Sequence, residues 1–255
     1  MKHNFSKMKI LTIDQGNSSV KAVVWQNGEP LESLRISALS IEELLPLLER
    51  HEIEGCAFCS VAHKDAKFLE TLRRLVDGNL VVLTPSLSLP IEIRYGSRES
   101  LGADRVAAAV GAFSRFPGEP NLVVDAGTAV TIDFLDESST FLGGNIAPGM
   151  SLRFSSLHEA TSRLPMVGSG GELPLIGNDT VTAIRCGVIR GMAAEISDAY
   201  FFAKEKYGCA RVIMAGADAD VLAPVLSEKG VPVITDHYLV GRGLERIYKF
   251  ELFQD

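Results

Sequence analysis

Apolar and polar positions alternate along the first half of the chain with the periods of short strands and amphipathic helices. Asn27-Gly28 is a typical hairpin turn between two β-rich runs, and Ser40 is a typical N-cap before a helical period. The predicted elements, in chain order, are strands at 8–14, 20–26 and 31–36, a helix at 41–51, a strand at 56–62, a helix at 66–76 and a strand at 80–83. Three hairpin strands therefore precede an alternation of helix and strand.

The second half repeats this order after a helix at 101–116, which follows the proline-bounded segment 85–90. The repeated elements are strands at 122–125, 130–135 and 141–146, a helix that begins near 148, a helix at 180–207, a strand at 212–214, a helix at 219–228, a strand at 231–234 and a final helix at 239–250. This order predicts an α/β protein with two tandem ribonuclease-H-like half-domains, at 1–90 and 119–255, joined by a spacer helix within 91–118.

Each half contains one Asp-x-Gly turn directly after its first strand. Glycine without a Cβ lets an anion approach the backbone, and the short polar side chains beside it can donate hydrogen bonds. A single turn of this kind is a common hairpin, but the pair predicts a nucleotide cleft between the two halves. The two copies are Asp14-Gln15-Gly16-Asn17-Ser18-Ser19-Val20-Lys21 and Asp125-Ala126-Gly127-Thr128.

The aspartates of these turns imply a cation. Asp14 and Asp125 cannot bind phosphate directly, because two anions repel each other. They fit a phosphate site only with a cation in between, and for oxygen ligands this is usually Mg²⁺. Lys21 has the charge to stabilise a phosphoryl group during its transfer. The two turns therefore predict a nucleotide and Mg²⁺ as ligands.

Composition narrows the classes of function. Hydrophobic residues make up 46% of the 255 residues, which is enough for a substantial core. The net charge of −7, without a basic cluster, argues against a nucleic-acid partner. No apolar run reaches transmembrane length and no signal-peptide core follows Met1, so we expect a soluble cytoplasmic protein without a membrane partner.

The four cysteines are expected to be reduced thiols. Cys56 and Cys59 have the spacing of a redox motif, but residues three apart in a strand point to opposite faces, so we interpret both as buried structural cysteines. The five histidines show no metal-ligand spacing.

An acid and a base stand side by side at the start of the spacer helix. The helix dipole favours Asp104 near the N-terminus and Arg105 suits a solvated helical position, so ordinary structural roles account for both. The functional alternative is that Asp104 accepts the proton of an attacking hydroxyl and Arg105 binds a substrate carboxylate in bidentate fashion. Spacing alone leaves the two interpretations open.

Three further loops have possible ligand roles. Segment 143–149 joins a strand to a helix whose N–H groups could face an anion, and segment 214–218 would pack against the adenosine of a nucleotide. An ordinary strand–helix turn, with Asp218 as a cap in the second case, remains the alternative. Segment 164–178 is glycine-rich without the lysine of a P-loop, and we interpret it as a mobile surface loop whose role as a lid stays open.

Five blocks together make the chain resemble the type III pantothenate kinases, in the acetate and sugar kinase/Hsp70/actin superfamily. The resemblance runs from Ile10 to about Gly243. It implies two halves of the actin-like ATPase type and ATP-dependent phosphorylation of pantothenate to 4′-phosphopantothenate, the first step of coenzyme A biosynthesis. The blocks are 14–21, Tyr95 with 102–105, 125–131, 144–149 and 178–187.

The resemblance also implies a role for each matched residue. Asp104 matches the general base, and segment 14–21 with Thr128 matches contacts to ATP, with Asp14 near Mg²⁺ through water. Asp125 matches the ligand of a monovalent cation, K⁺ or NH₄⁺. Family members are homodimers with the pantothenate site close to the subunit interface. The matched pantothenate contacts are Tyr95, Gly102, Ala103, Asp104, Arg105 and Thr180.

Two positions depart from the family pattern. Arg98 stands where proline is usual, three residues after Tyr95, so the approach to the Asp104 helix is open to difference. Ser18 replaces the usual threonine and keeps its hydroxyl.

Two other functions remain as alternatives. One is a regulatory protein, since this fold also serves as a non-catalytic nucleotide switch, but such a module needs no positioned base. The other is a kinase for a sugar or acetate. The Gly-Ala-Asp-Arg block fits an alcohol that bears a carboxylate better than it fits a neutral sugar.

Overall fold

Each half of the chain builds a mixed β-sheet covered by helices, in a computed structural model that describes residues 8–61 and 65–252. These residues fall into two units, of which the first runs to Arg115 and resumes at Tyr238, and the second is Phe116–His237. The sequence-based division differs, because it sets 91–118 apart as a spacer and assigns the final helix to the second half.

Strand β1 lies at the centre of the first unit's sheet. The strands are β1 (Lys9–Gln15), β2 (Val20–Gln26), β3 (Glu29–Ile36), β4 (Gly55–Ser60) and β5 (Leu80–Val82). Their order is β3-β2-β1-β4-β5, with antiparallel pairing from β3 to β1 and parallel pairing from β1 to β5. Helix α1 (Ile41–His51) connects β3 to β4, and α2 (Ala66–Leu75) supplies the crossover between the parallel strands β4 and β5.

The two faces of this sheet have different partners because side chains alternate along each strand. Leu11, Ile13 and Phe58 face one side and form a core with Leu44 of α1 and Leu72 of α2. The intervening positions, which include 12, 14 and 59, therefore face the other side.

Helices α3 (Ala103–Arg115) and α7 (Leu239–Leu252) pack closely together in the same unit. A Cβ on Gly243 would lie 1.7 Å from the carbonyl oxygen of Ala107, and one on Gly111 would lie 2.2 Å from that of Leu239. Backbone contact therefore requires both glycines. The position of Gly241 near Thr12 and Trp25 places α7 on the second face of the sheet. Two short elements precede α3, namely the strand β6 (Glu92–Ile93) and a 3₁₀ turn at Arg98–Ser100.

The second unit repeats the arrangement of the first. Its own strands lie in the order β11-β10-β7-β8-β9, with β7 antiparallel to β8 and parallel to β10. Asp179 caps the longest helix by accepting hydrogen bonds from the N–H groups of Val181 and Thr182. The elements are β7 (Asn121–Ala126), β8 (Ala129–Leu135), β9 (Thr140–Pro148), α4 (Met150–Glu159), α5 (Thr180–Tyr207), β10 (Val212–Ala215), α6 (Ala219–Glu228) and β11 (Val233–Thr235).

The duplicated α/β order predicted from the sequence is confirmed. The helices at 41–51, 180–207 and 219–228 have the predicted bounds, because each has a polar N-cap or a clear apolar period. Strand β4 ends at Ser60 rather than at 62, and residue 62 lies outside the described residues. In the part of the chain that the structure describes, no helix combines the length and apolar character needed to cross a membrane.

The close packing of α3 on α7 yields a test with two glycines. Gly243→Ala should destabilise the protein by about 1–3 kcal/mol, because the new methyl group would overlap backbone atoms. Gly191→Ala, in α5 where a Cβ would meet nothing within 4 Å, should stabilise it by about 0.5–1 kcal/mol. Urea unfolding curves measure both changes, and a Gly243→Ala protein as stable as the parent would contradict the packing.

Candidate active site

A row of four side chains crosses the first sheet at the ends of its strands. Strand register pairs Asp14 of β1 with Lys21 of β2 on one side and with Cys59 of β4 on the other. Lys21 is paired in turn with Arg35 of β3. In-register neighbours point to the same face. Two cationic residues therefore stand on one side of Asp14 and a thiol on the other.

The Asp14 carboxyl is electrostatically strained. Burial raises its pKa above the ordinary value of 3.8, and the negative charge of Asp104 raises it further. The hydrogen bond from Cys59 and the charges of Lys21 and Arg35 oppose this change. The repulsion also shows that Asp104, at the start of α3, lies near Asp14 within the first unit. A cation beside the two carboxylates would relieve their repulsion, so this pair fits Mg²⁺.

The turn after Asp14 is closed by its own backbone. The N–H of Gly16 donates to the carbonyl of Ser19 over 3.0 Å, and a Cβ on Gly16 would lie 3.4 Å from the same oxygen. Gln15 ends β1, while Val20 and Lys21 begin β2. Asn17 and Ser18 are exposed at the tip, and Ser19 is half-buried. The loop therefore offers short polar groups to a ligand in solvent.

The start of α3 assembles most of the expected pantothenate contacts. The Asp104 carboxylate accepts a hydrogen bond from the N–H of Arg105 over 2.8 Å. A Cβ on Gly102 would lie 2.5 Å from the same carboxylate oxygen, so glycine leaves room for it. The Arg105 side chain is buried, with its guanidinium 5.6 Å from the ring centre of Tyr95. Arg105 is thus not the solvated helical residue of the structural interpretation.

Arg98 ties the segment before α3 to the preceding loop. Its guanidinium donates to the carbonyl of Leu87 over 2.9 Å. Proline could not make this bond. Where the resemblance leads us to expect a rigid proline, this chain therefore has an arginine whose hydrogen bond joins residues 87 and 98.

Two glycines, Gly149 and Gly216, approach the backbone of the Asp-x-Gly loop in the second unit. Gly149 donates to the carbonyl of Thr128 over 3.0 Å, and a Cβ on Gly149 would lie 2.0 Å from the carbonyl oxygen of Gly127. A Cβ on Gly216 would lie 2.2 Å from the carbonyl oxygen of Ala126. Asp125 is half-buried near the end of β7, while Thr128 is exposed in the turn.

Asp218 joins the same group of turns in a way that the sequence did not reveal. It occupies the N-cap position of α6, but its side chain makes no capping bond to that helix. Its carboxylate instead accepts from the N–H of Met150 over 3.4 Å at the start of α4, and its own N–H donates to Ala126. Burial raises the pKa of Asp218. The residue thus links three loops of the second unit.

Thr180 and segment 164–178 belong to the second unit as well. Thr180 is exposed at the first position of α5. Segment 164–178 has neither helix nor strand, as expected, but two arginines of α5 hydrogen-bond to its backbone. Arg185 donates to the carbonyls of residues 168 and 172, and Arg190 donates to those of residues 173 and 174.

Comparison with known proteins decides the family. The model of the type III pantothenate kinase family matches residues 10–200. The chain belongs to the type III pantothenate kinase family. A type III pantothenate kinase from Phocaeicola vulgatus is 38% identical over 240 residues, which cover 94% of this chain and 98% of the relative. The enzyme from Porphyromonas gingivalis strain W83 is 36% identical over 246 residues, which cover 95% and 98%.

Solved structures agree with this family's fold. A protein from Campylobacter jejuni, whose name provisionally assigns it to the Baf family of transcriptional activators, is 25% identical with a TM-score of 0.63, over 95% of this chain and 98% of that one. The ROK hexokinase from Thermus thermophilus is 12% identical with a TM-score of 0.55, over 96% and 100%. The second likeness extends to the fold alone, which is the actin-like kinase fold expected from the sequence.

The strained charge of Asp14 predicts a pH-dependent effect on stability. Because folding raises the pKa of Asp14, the folded state holds the proton more tightly than the unfolded chain does. Without nucleotide, the contribution of Asp14 to the stability of the parent should therefore fall as the pH rises through the raised pKa of the folded state, and Asp14→Asn should lack this loss. At pH 7 the variant should melt higher, with about 2–4 °C expected for each kcal/mol regained.

Thermal unfolding from pH 3.5 to 8 measures this difference. Asp198→Asn, which removes an exposed carboxylate from α5, is the control and should follow the parent curve. An Asp14→Asn curve that runs parallel to the parent at all pH values would contradict the strained state of Asp14.

Proposed function

We propose that this protein transfers the γ-phosphoryl group of ATP to the 4′-hydroxyl of pantothenate, as the first step of coenzyme A biosynthesis. The single observation that carries the proposal is the cluster of Asp14, Lys21, Asp104 and Arg105 within one unit, on a chain that belongs to the type III pantothenate kinase family. The cluster supports it because phosphoryl transfer to an alcohol needs an acid–base group beside a cation-binding carboxylate.

Asp104 is the proposed general base. It lies at the start of α3, where its carboxylate can accept the proton of the attacking hydroxyl. The hydrogen bond from the N–H of Arg105 holds this carboxylate in place, and the absence of a Cβ on Gly102 leaves room for it. Ala103, the first residue of α3, lies between Gly102 and Asp104 and is proposed to contact pantothenate as well.

Arg105 and Tyr95 are proposed to bind the carboxylate end of pantothenate. The guanidinium is a bidentate donor, and it lies within cation–π distance of the Tyr95 ring. Burial of Arg105 strengthens the attraction by lowering the local dielectric constant. Thr180, exposed at the start of α5, is proposed as a further contact to pantothenate through its hydroxyl.

ATP is proposed to bind the two Asp-x-Gly loops with Mg²⁺. Asp14 would hold the ion through water, and the ion would neutralise phosphate charge during transfer. Gln15, Gly16, Asn17, Ser18, Ser19 and Val20 would cradle phosphate oxygens with Lys21 as the compensating cation. In the second loop, Thr128 would contact ATP and Asp125 would bind a monovalent cation, K⁺ or NH₄⁺, through its half-buried carboxylate.

We also propose that the protein acts as a cytoplasmic homodimer. Three large apolar side chains support the dimer because they cluster in sequence around the start of α5 and are exposed, namely Leu175 (78%), Ile176 (81%) and Val181 (40%). Apolar side chains left in solvent in this way are common at protein interfaces. The net charge of −7 supports the expectation that no nucleic acid binds.

Two competing functions are suggested by the names of solved structures that share the fold. The neighbour from Campylobacter jejuni is named as a transcriptional activator, and the ROK neighbour is a hexokinase. The pairing of a base with a buried arginine favours a carboxylate-bearing alcohol over both. An ADP-release assay with pantothenate, acetate and a panel of sugars discriminates the three functions. Only pantothenate should support ATP consumption, and only with Mg²⁺ and K⁺ or NH₄⁺ rather than Na⁺.

Removal of the proposed base should separate chemistry from folding. Asp104→Asn should lower kcat by about 100-fold or more, because the amide cannot take the proton. The side-chain carbonyl of the substituted asparagine can still accept from the N–H of Arg105, so the melting temperature should hardly change. Asp198→Asn, a helical and exposed aspartate, should keep full turnover. Near-normal kcat for Asp104→Asn would show that the base has been assigned to the wrong residue.

A further inference from the structure

The end of β4 contacts the first Asp-x-Gly loop through two consecutive side chains. The Cys59 thiol donates to Oδ1 of Asp14 over 3.3 Å, and the Ser60 hydroxyl donates to Oε1 of Gln15 over 2.8 Å. The strand register sets both contacts, because it pairs Asp14 with Cys59 and Gln15 with Ser60. The N–H of Val61 extends the ladder by donating to the carbonyl of Gln15 over 3.1 Å.

The two contacts lie on opposite faces of the same strand pair. Side chains alternate along a strand, so Asp14 and Cys59 face one side while Gln15 and Ser60 face the other. The loop that follows β1 is therefore held from both sides at the point where it leaves the sheet.

We propose that Cys59 and Ser60 are positioning residues for the phosphate loop, in which the Cys59 thiol orients the Asp14 carboxylate and the Ser60 hydroxyl orients the Gln15 amide. This inference rests on the proposed function, since it assumes that the loop binds Mg²⁺ and ATP. The bond to Oδ1 restrains rotation of the Asp14 carboxylate, so that its second oxygen, Oδ2, would be available to a water molecule bound to the ion. Hydrogen bonds of this kind commonly set the orientation of groups that hold metals, and their loss typically weakens metal binding or activity about 10–100-fold.

The second unit provides an internal comparison. Asp125 occupies the place of Asp14, and its parallel partner in the register is Ala215, where the first unit has Cys59. The residue after Ala215 is Gly216, where the first unit has Ser60. Alanine is thus compatible with this strand position. Of these two strand ends, only the first has hydrogen-bond donors in its side chains at the two positions, Cys59 and Ser60.

Cys56 is a matched control for Cys59. Both thiols are buried on the same strand, but Cys56 faces the apolar core and its thiol donates to the carbonyl of its neighbour Ala57, over 3.8 Å. Cys56→Ala removes the same sulfur without touching the loop. The test compares this variant with Cys59→Ala, Cys59→Ser and Ser60→Ala.

Two kinds of measurement apply to each variant. Calorimetric titration with the Mg²⁺ complex of a non-hydrolysable ATP analogue, without pantothenate, reports binding independently of turnover. Steady-state kinetics then report the KM for Mg²⁺–ATP and kcat. Cys59→Ala should bind the analogue about tenfold more weakly and lose at least tenfold in kcat/KM. Cys59→Ser restores a donor and should stay within about threefold of the parent.

Ser60→Ala should weaken analogue binding by severalfold, and Cys56→Ala should retain parental binding and kinetics even if it melts earlier. A double-mutant cycle, in which Cys59→Ala is made both in the parent and in Asp14→Asn, isolates the interaction of this pair. The effect of Cys59→Ala on binding should largely vanish once Asp14 has lost its charge.

If Cys59→Ala behaves like Cys56→Ala, or if Cys59→Ser fails to rescue binding, the positioning role is wrong. Binding that depends on Cys59, in a protein that does not phosphorylate pantothenate, would instead overturn the proposed function.

Discussion

The pairing of β1 with an antiparallel strand on one side and a parallel strand on the other determines the surroundings of Asp14. Antiparallel register places Lys21 beside it, and parallel register places Cys59 on its other side. The second face of the sheet is covered by α7, which approaches Thr12 and Trp25, and α7 packs closely on α3. This packing lets α3 bring Asp104 near Asp14. A shift in the pairing of β1 with β2 or β4 would separate Asp14 from Lys21 or Cys59 and so disrupt the proposed site.

Duplication of the fold has not produced two equivalent loops. The strand orders β3-β2-β1-β4-β5 and β9-β8-β7-β10-β11 are the same, and each central strand has an aspartate near its end. The neighbours of these aspartates differ, since Asp14 is paired with Lys21 whereas Asp125 is paired with Thr131. A lysine suits the compensation of phosphate charge, and its absence from the paired position beside Asp125 is consistent with the monovalent-cation site that we propose there.

Local signals predicted the elements well, because caps and periodicity act within a few residues. Ser40 predicts the helix that begins at the next residue, and the pair of Asp-x-Gly turns revealed the duplication. The packing of the final helix on the first unit was not predictable, because the apolar positions of a helix do not indicate which of two sheets they cover. The Cys59–Asp14 contact spans 45 residues and the Asp218–Met150 contact 68, so each depends on strand register or loop packing rather than on local sequence. The expected burial of Cys56 and Cys59 was confirmed, whereas the roles of Asp125 and Thr180 stay predictions.

The most direct test is a crystal structure with Mg²⁺, a non-hydrolysable ATP analogue and pantothenate. The account predicts that Mg²⁺ lies one water molecule away from Asp14, with Mg–O distances of about 2.0–2.1 Å to its ligands. It also predicts that the pantothenate 4′-hydroxyl lies about 2.6–3.2 Å from the Asp104 carboxylate. A metal ion remote from Asp14, or a hydroxyl out of reach of Asp104, would contradict it.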